Sequence, residues 1–247
     1  MMLLLRSALF LLWFAMISVI MNVGFLPALL LPPGATLAGG KLWARLVLFG
    51  LKWIAGTDLE VRGKLGDTRV LVASKHLSMW ETIAFLSLLP RPAMVIKQSL
   101  LRIPFYGWYC RTMGMIAIDR SAGAKSIRIM AAEARRALAE DRPIVIFPEG
   151  TRKKPGAAAD YKPGVAALYA LLSVPCVPVA HNSGLFWTGF LKRPGRIVVE
   201  FLDPIPPDLS RETFMEELQL RTEAATNRLL EEGRHTGANS PTAAHGL

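Results

Sequence analysis

The sequence predicts an α/β domain with a central mixed, largely parallel sheet flanked by helices, preceded by an N-terminal hydrophobic two-helix membrane segment. Beyond residue 56, short runs rich in β-branched residues alternate with stretches of helical periodicity, as is typical of α/β proteins. Residues 1–55 are far more apolar than the rest, and the mean hydropathy of +0.33 is high for a soluble enzyme. We therefore divide the 247 residues into a membrane segment (1–55), a domain (56–232) and a disordered tail (233–247).

The N-terminal segment is predicted to hold two membrane-seeking helices. Between residues 3 and 31 the only charged side chain is Arg6, and about 20 apolar residues suffice for a helix to span a bilayer. After a break at residues 32–34, the segment 41–54 is amphipathic and carries basic residues at helical spacing: Lys41, Arg45 and Lys52. A cleaved signal peptide is the alternative, but the apolar run is long and no small-x-small cleavage site precedes the break.

The charge and the cysteine residues indicate which partners the protein binds and in which compartment it lies. Lys and Arg outnumber Asp and Glu by 29 to 19, so the net charge of +10 favours an anionic partner such as phospholipid, nucleic acid or acidic carrier protein. Basic residues after the first helix predict that the domain lies on the cytoplasmic side of the membrane. Cys110 and Cys176 have neither metal-ligand nor disulfide-framework spacing, so we expect two buried thiols in a reducing compartment.

Seven strands and two long helices are predicted in the domain. The strands cover residues 59–62, 70–74, 93–96, 115–118, 144–147, 176–180 and 196–201. The helices, at 122–140 and 210–232, carry apolar residues at three-to-four spacing, so each should pack one face against the sheet. Ser210 is the expected N-cap of the second helix.

The first segment that carries chemistry directly follows a predicted strand. His76 lies at the carboxyl end of that strand, where open α/β sheets usually bind ligands. A carboxylate from Glu81 on Nδ1 would leave Nε2 free to accept a substrate proton. Residues five apart in a helix are rotated by about 140°, so the pair can meet only if the helix begins near Ser78 or Met79. Without that geometry, His76 is an ordinary surface or core histidine.

Three basic turns indicate a seat for an anion. In the turn after the strand at 144–147, Gly150 lets the backbone approach a ligand, Thr151 offers a hydroxyl and Arg152 a fork suited to phosphate. Arg120 follows another strand, and Lys162 supplies positive charge in a third turn. A single basic turn could be an ordinary charged surface turn, but three of them together favour an anion-binding site.

The sequence leaves undecided the roles of several aromatic residues and of a second histidine. The aromatic side chains line an acyl channel, rest on a membrane or pack in the core: Trp80, Phe105, Tyr106, Trp108, Phe186 and Trp187. His181 is equally ambiguous and is left out of the candidate catalytic residues.

Four segments resemble, in order and spacing, the motifs of the glycerolipid acyltransferases. They are His76 with an acid after four intervening residues, GMIAIDR from Gly114 to Arg120, FPEGTR from Phe147 to Arg152, and VPVAHNSG from Val177 to Gly184. The resemblance is greatest to the bacterial 1-acylglycerol-3-phosphate acyltransferases, and it covers about the whole chain from residue 56 on.

The resemblance implies a reaction and its residues. A fatty acyl group would pass from acyl-CoA or acyl carrier protein to the sn-2 hydroxyl of 1-acylglycerol 3-phosphate, giving phosphatidic acid without a metal or bound cofactor. His76 would be the general base, Glu81 its orienting acid and Lys97 a lysine near the developing oxyanion. The glycerol-phosphate end would be held by Arg120, Glu149, Gly150, Thr151 and Arg152. The family's acid is usually aspartate, so the extra methylene of Glu81 calls for a shifted helix start or another rotamer.

Two alternatives stay open. The same fold could acylate another lyso-lipid, such as a lyso-aminolipid, because a carboxylate can use the same arginine forks. A membrane-tethered anion-binding protein without catalysis is a different class, but the chain has no nucleic-acid motif and we expect no nucleic-acid partner. A serine hydrolase is disfavoured because the GxSxG nucleophile elbow is absent from the sequence.

Overall fold

The structure, a computed structural model, describes residues 1–119 and 123–238. The helices are α1 (Met2–Gly24), α2 (Pro33–Gly50), α3 (Trp80–Leu88), α4 (Tyr106–Thr112), α5 (Gly123–Ala139), α6 (Gly164–Leu172), α7 (Ser183–Phe186) and α8 (Arg211–Ala238). The strands are β1 (Thr57–Arg62), β2 (Leu71–Ser74), β3 (Ala93–Lys97), β4 (Ile116–Ile118), β5 (Ile144–Ile146), β6 (Cys176–His181), β7 (Trp187–Thr188), β8 (Leu191–Lys192) and β9 (Gly195–Phe201). Short 3₁₀ helices cover Leu26–Leu30 and Gln98–Arg102, and a π-turn covers Leu51–Ala55.

The sheet is mixed and largely parallel, as predicted. Within the described residues, seven strands form one sheet in the order β1-β9-β6-β2-β5-β3-β4. Strands β6, β2, β5, β3 and β4 run parallel to one another, whereas β9 pairs antiparallel with β6 and parallel with β1. All seven predicted strands are present close to their predicted bounds. Sequence analysis missed the separate antiparallel hairpin of β7 and β8, whose strands are only two residues long.

The sheet is covered on both faces, which explains why its strands are continuous apolar runs. Along β2, successive side chains alternate between the two faces. Val72 belongs to the core cluster that α2 and α3 complete, and Leu71 and Ala73 belong to the cluster that α5, α6 and α8 complete. The carboxyl ends of five parallel strands therefore meet at one edge between two helical layers.

The two helices predicted in the domain are present, and one is longer than expected. In α8, the backbone N–H of Thr213 donates to Ser210 Oγ at 3.1 Å, which confirms the predicted N-cap. However, α8 continues to Ala238, so residues 233–238 of the predicted tail are helical, while 239–247 lie outside the described residues. Gly233 does not end the helix because it is a packing position, where a Cβ would lie 2.8 Å from Leu185.

The N-terminal segment contains two helices, but the second begins earlier than predicted. The break at residues 32–34 is the start of α2, with Pro33 at its first position, where a missing N–H costs nothing. Among the described residues, α1 alone is long and apolar enough to cross a bilayer, with a hydropathy of 2.2. Helix α2 is instead tied to the domain core through Ala44 and Val47, which are fully buried.

Helix α1 also packs against the domain. Phe10 is fully buried and meets the ring of Trp187 edge to face at 5.4 Å. Trp13 Nε1 donates to the carbonyl of Leu46 in α2 at 3.0 Å. One face of α1 is therefore fixed by tertiary contacts, and the other presents exposed apolar side chains.

Because α1 packs closely on α2, we expect that replacing a glycine between the two helices by alanine destabilises the protein. At Gly50, a Cβ would lie 2.2 Å from the ring of Trp13. We expect Gly50→Ala to lower the free energy of unfolding by about 1–3 kcal/mol, although alanine is the better helix former. Gly34→Ala in the same helix meets nothing within 4 Å and serves as the control. Thermal unfolding in detergent, followed by tryptophan fluorescence, compares them; equal melting temperatures for the two variants would contradict the packing argument.

Candidate active site

A cavity of about 1230 Å³ opens along the carboxyl edge of the parallel strands. His76 and the turn at residues 147–152 line it, as do Met21, Phe25 and Trp43 of the N-terminal segment. Much of the remaining lining is apolar and includes Ile83, Leu86, Met94, Met113, Met115 and Met130. The cavity therefore combines polar groups at the strand termini with apolar side chains from the domain and the N-terminal segment.

His76 lies in the turn between β2 and α3, as the spacing required. Strand β2 ends at Ser74 and α3 begins at Trp80, with Met79 as its N-cap. The His76 ring stacks on Phe147 with a centroid distance of 4.2 Å and an interplanar angle of 23°. Its side chain is 13% exposed. The imidazole is thus clamped in place while it still lines the cavity.

The carboxylate of Glu81 holds the histidine from behind. Its Oε1 accepts hydrogen bonds from His76 Nδ1 at 2.8 Å and from the backbone N–H groups of Leu77 and Ser78 at 2.9 Å. Its Oε2 accepts from the hydroxyl of Ser78 at 2.8 Å and from that of Ser183 at 3.1 Å. The carboxylate is completely buried, so these donors replace water.

The charge state of this pair decides the histidine tautomer. Burial alone raises the pKa of Glu81, but the imidazoles of His181 and His76 and the N–H of Ser78 favour the carboxylate more strongly, and the pKa falls to about 2. Because an ionised carboxylate only accepts, His76 Nδ1 must donate to it. Nε2 of a neutral His76 therefore carries the lone pair that can take a proton.

Glutamate fits where the family usually has aspartate. Helix α3 begins at Trp80, so Glu81 lies in the first turn, where the free N–H groups and the helix dipole favour an anion. The longer side chain reaches back past Ser78 to the turn, and its Oε1 arrives 2.8 Å from His76 Nδ1. Because α3 begins only at Trp80, the Glu81 carboxylate can meet the imidazole of His76 across the turn.

A buried ion network supports the backbone of His76. Lys75 Nζ donates to Glu149 Oε1 at 2.8 Å and to Glu223 Oε1 at 2.6 Å, and its side chain is 3% exposed. Tyr161 donates its hydroxyl to the same oxygen of Glu223 at 3.0 Å. Glu149 Oε2 in turn accepts the backbone N–H of His76 at 3.1 Å. The network joins helix α8 to the turn that carries His76.

Glu149 was predicted to hold substrate, but its carboxylate is occupied by the protein. Although Glu149 borders the cavity, its side chain is fully buried, and both oxygens already accept hydrogen bonds from Lys75 and His76. A carboxylate in that position also repels a phosphate. The geometry favours Glu149 as a positioning group.

The other candidate binding residues surround the mouth of the cavity. Gly150 has φ +65, a conformation that glycine adopts without strain, and it turns the chain after β5. Thr151 and Arg152 are exposed and line the cavity. Lys97 at the end of β3 is also exposed there. Lys162 lines the same region while pairing with Asp160 at 2.7 Å.

Arg120 lies outside the described residues, so its position is not part of this geometry. Within the described ranges, no three His, Cys, Asp or Glu side chains are grouped closely enough to hold a metal ion. Cys110 and Cys176 are buried and free, as expected.

Sequence reasoning missed several residues that build the site. Ser78 and Ser183 bind the Glu81 carboxylate, and Lys75 and Glu223 form the ion network. His181 is fully buried and donates through Nε2 to the carbonyl of Lys75 at 2.8 Å. Burial lowers the pKa of His181, and this residue does not line the cavity, so its role in the fold is structural. Ser78 could have been identified from the sequence, because a serine just before a predicted helix is a candidate N-cap. No local sequence pattern marked Glu223.

Comparison with known proteins identifies the family of this chain. The family model described as Acyltransferase matches residues 58–182, just over half of the chain. The chain belongs to the acyltransferase family. The matched range includes His76, Glu81 and the turn at 147–152.

Curated relatives in this acyltransferase family come from distant organisms. The chain is 34% identical over 161 residues to a 1-acyl-sn-glycerol-3-phosphate acyltransferase of Pseudomonas aeruginosa, covering 64% of this chain and 63% of the relative. It is 30% identical over 173 residues to 1-acyl-sn-glycerol-3-phosphate acyltransferase alpha of Homo sapiens, covering 66% and 60%. The matched part thus spans about three fifths of the length of these relatives.

A solved structure supports the fold over nearly the whole acyltransferase chain. It is that of the 1-acyl-sn-glycerophosphate acyltransferase PlsC from Thermotoga maritima, with a TM-score of 0.71 at 20% sequence identity. The match covers 91% of this chain and 97% of that one. The structural match therefore extends well beyond residues 58–182, the range that the family model covers.

The ion network predicts that Glu223 affects the turnover rate from a distance. Glu223→Leu removes one of the two carboxylates of buried Lys75, and we expect kcat to fall about tenfold while KM changes little. Glu223→Gln, which keeps an acceptor, should retain more of the rate. Glu216→Gln, exposed on the same helix, is the control. Wild-type kcat in a destabilised Glu223→Leu protein would mean that the network serves folding alone.

Proposed function

We propose that this acyltransferase moves a fatty acyl group from acyl-CoA or acyl carrier protein to the sn-2 hydroxyl of 1-acylglycerol 3-phosphate, forming phosphatidic acid. The observation that carries the proposal is the cavity, which joins the His76 and Glu81 pair and a basic turn to a long apolar chamber. A lysophospholipid has the matching parts: a hydroxyl, a phosphate and a hydrocarbon chain. The relatives from Pseudomonas aeruginosa and Homo sapiens are 1-acyl-sn-glycerol-3-phosphate acyltransferases, which supports the same choice.

His76 acts as the general base in the proposed reaction. Nε2 removes the proton from the acceptor hydroxyl as its oxygen attacks the thioester carbonyl carbon. Ionised Glu81 stabilises the imidazolium that forms, without taking its proton. When the tetrahedral intermediate collapses, the C–S bond breaks and the departing sulfur takes the proton from Nε2. Lys97, exposed at the end of β3, is the proposed partner of the oxyanion.

The acceptor phosphate binds at the basic mouth of the cavity. Arg152 supplies a bidentate fork, and Thr151 and the backbone at Gly150 supply donors beside it. Arg120 belongs to the same proposed seat by its motif, and Lys162 adds positive charge. The proposed reaction uses no metal or bound cofactor, because the thioester is already the activated acyl donor.

Membrane association accompanies this function. Helix α1 is apolar enough to enter a bilayer, and the domain lies on the cytoplasmic side of the inner membrane in our proposal. Both ends of α1 are bound to the domain: Ser7 Oγ accepts the N–H of Lys192 at 3.0 Å, and the carbonyl of Asn22 accepts the Tyr109 hydroxyl at 2.6 Å. These ties favour a helix that lies in one leaflet beside the domain over one that crosses the bilayer alone.

The reaction is tested by an acyl-transfer assay with purified protein. Labelled acyl-CoA and acyl carrier protein are each offered with lysophosphatidic acid, lysophosphatidylethanolamine or a lyso-aminolipid that lacks phosphate. We expect transfer to lysophosphatidic acid to exceed transfer to the lyso-aminolipid by at least about tenfold, because the arginine forks match a phosphate dianion. A preference for the lyso-aminolipid would assign a different acceptor, and no transfer to any acceptor would refute the proposal.

The phosphate seat predicts a binding defect in Arg152→Ala. Loss of a charge-assisted contact of about 1.5–3 kcal/mol should raise KM for lysophosphatidic acid roughly 10- to 150-fold. KM for the acyl donor should stay near the wild-type value. Arg128→Ala, an exposed arginine of α5 that does not line the cavity, is the control. An increase confined to the KM of the donor would place Arg152 at the thioester's end of the site.

A further inference from the structure

A cluster of exposed aromatic side chains lies at the turn into α4. Of the six aromatic residues left open by the sequence, Trp80, Phe186 and Trp187 are buried in the core. The other three are exposed in the cluster, together with an isoleucine: Ile103 (48%), Phe105 (39%), Tyr106 (43%) and Trp108 (47%). We call these four residues the 103–108 patch. Single exposed apolar residues need no explanation, but four in six positions form a surface that favours a partner.

The patch is held outward by a tightly folded backbone. Phe105 has φ +61 and ψ −61, a conformation that costs a residue with a side chain about 1–3 kcal/mol. The N–H of Gly107 donates to the carbonyl of Ile103 at 2.8 Å, and a Cβ at Gly107 would lie 2.2 Å from the Leu101 carbonyl oxygen. The Phe105 and Trp108 rings meet edge to face at 5.2 Å. The fold maintains a strained turn that presents aromatic rings to the outside.

The charges beside the patch fit an anionic lipid surface. Arg102 precedes it and Arg111 follows it, and both are exposed. Aromatic rings between long basic side chains are the composition found at membrane interfaces, where the rings lie at headgroup depth and the guanidinium groups reach the phosphates.

The patch is continuous with the exposed apolar face of the N-terminal segment. The Tyr109 hydroxyl donates to the carbonyl of Asn22, which fixes α4 at the end of α1. Large apolar side chains of that region are also exposed: Val19 (63%), Ile20 (55%), Val23 (57%), Leu30 (90%) and Leu31 (56%). Ile103, Tyr106 and Tyr109 line the cavity as well, so the patch forms part of its rim.

We propose that the 103–108 patch inserts into the headgroup region of the leaflet and seats the rim of the cavity on the bilayer. A lysophospholipid then passes from the leaflet into the cavity without its chain entering water. The proposal rests on the proposed lipid acceptor, which it deepens by assigning the membrane contact at which the acceptor enters. Its partner is a lipid surface, and a protein partner on the same rings is the competing outcome.

The kinetic test separates delivery from chemistry. Phe105→Ser/Trp108→Ser is compared with wild type on lysophosphatidic acid embedded in phosphatidylcholine–phosphatidylglycerol vesicles, and on short-chain lysophosphatidic acid below its critical micelle concentration. We expect kcat/KM to fall about tenfold or more on vesicles and to stay within about twofold on the monomeric acceptor. The control, Ile129→Ser/Leu220→Ser, removes two exposed apolar residues of α5 and α8 and should match wild type on both. Equal activity of patch variant and wild type on vesicles, or equal losses on both acceptors, would overturn the proposal.

A spectroscopic test judges the patch without any turnover. Vesicles of brominated lipids quench tryptophans that enter the bilayer, so wild type should be quenched more strongly than Trp108→Phe. The patch is then supported even if the acyl-transfer assay finds no acceptor, in which case the proposed function fails by itself. Equal quenching of the two proteins would overturn the proposal and leave the rings to a protein partner.

Discussion

The buried carboxylate of Glu81 is the interaction on which the rest of the site depends. A carboxylate fully removed from water is unfavourable unless donors replace its hydration, and here five hydrogen bonds do so. Two of those donors are backbone N–H groups of the turn, so the carboxylate fixes the path of the chain from β2 into α3. A third is His76 Nδ1, so the same contact sets the tautomer and leaves the lone pair on Nε2.

A second carboxylate, Glu149, holds the catalytic turn from the opposite side. It accepts the His76 N–H and is itself neutralised by Lys75, which shares its charge with Glu223 of α8. Both acidic residues near the histidine are therefore buried and directed at the protein. The cavity presents to a ligand the imidazole, the basic turn at 150–152 and largely apolar walls. That combination favours a lipid acceptor with an anionic headgroup and disfavours a polar, purely water-soluble substrate.

The sequence predicted what depends on local patterns. β-branched runs predicted all seven strands, and the spacing of His76 and Glu81 correctly required a helix that begins just after Ser78. Other features depend on contacts between distant segments. Glu223 pairs with Lys75, which lies 148 positions away in the sequence, and Gly233 of α8 packs against Leu185 of α7. Glu149 was predicted to hold substrate because it belongs to the FPEGTR motif, but only the three-dimensional structure shows where its oxygens point.

The central claim is that Nε2 of His76 is the base for acyl transfer, and single-turnover transfer by His76→Ala tests it most directly. Purified variant and wild type are mixed with labelled acyl thioester and lysophosphatidic acid, and folding and vesicle binding are measured on the same samples. We expect the variant to lose about 10²- to 10⁴-fold in rate, with its folding and vesicle binding unchanged. Transfer at close to the wild-type rate by the folded variant would contradict it.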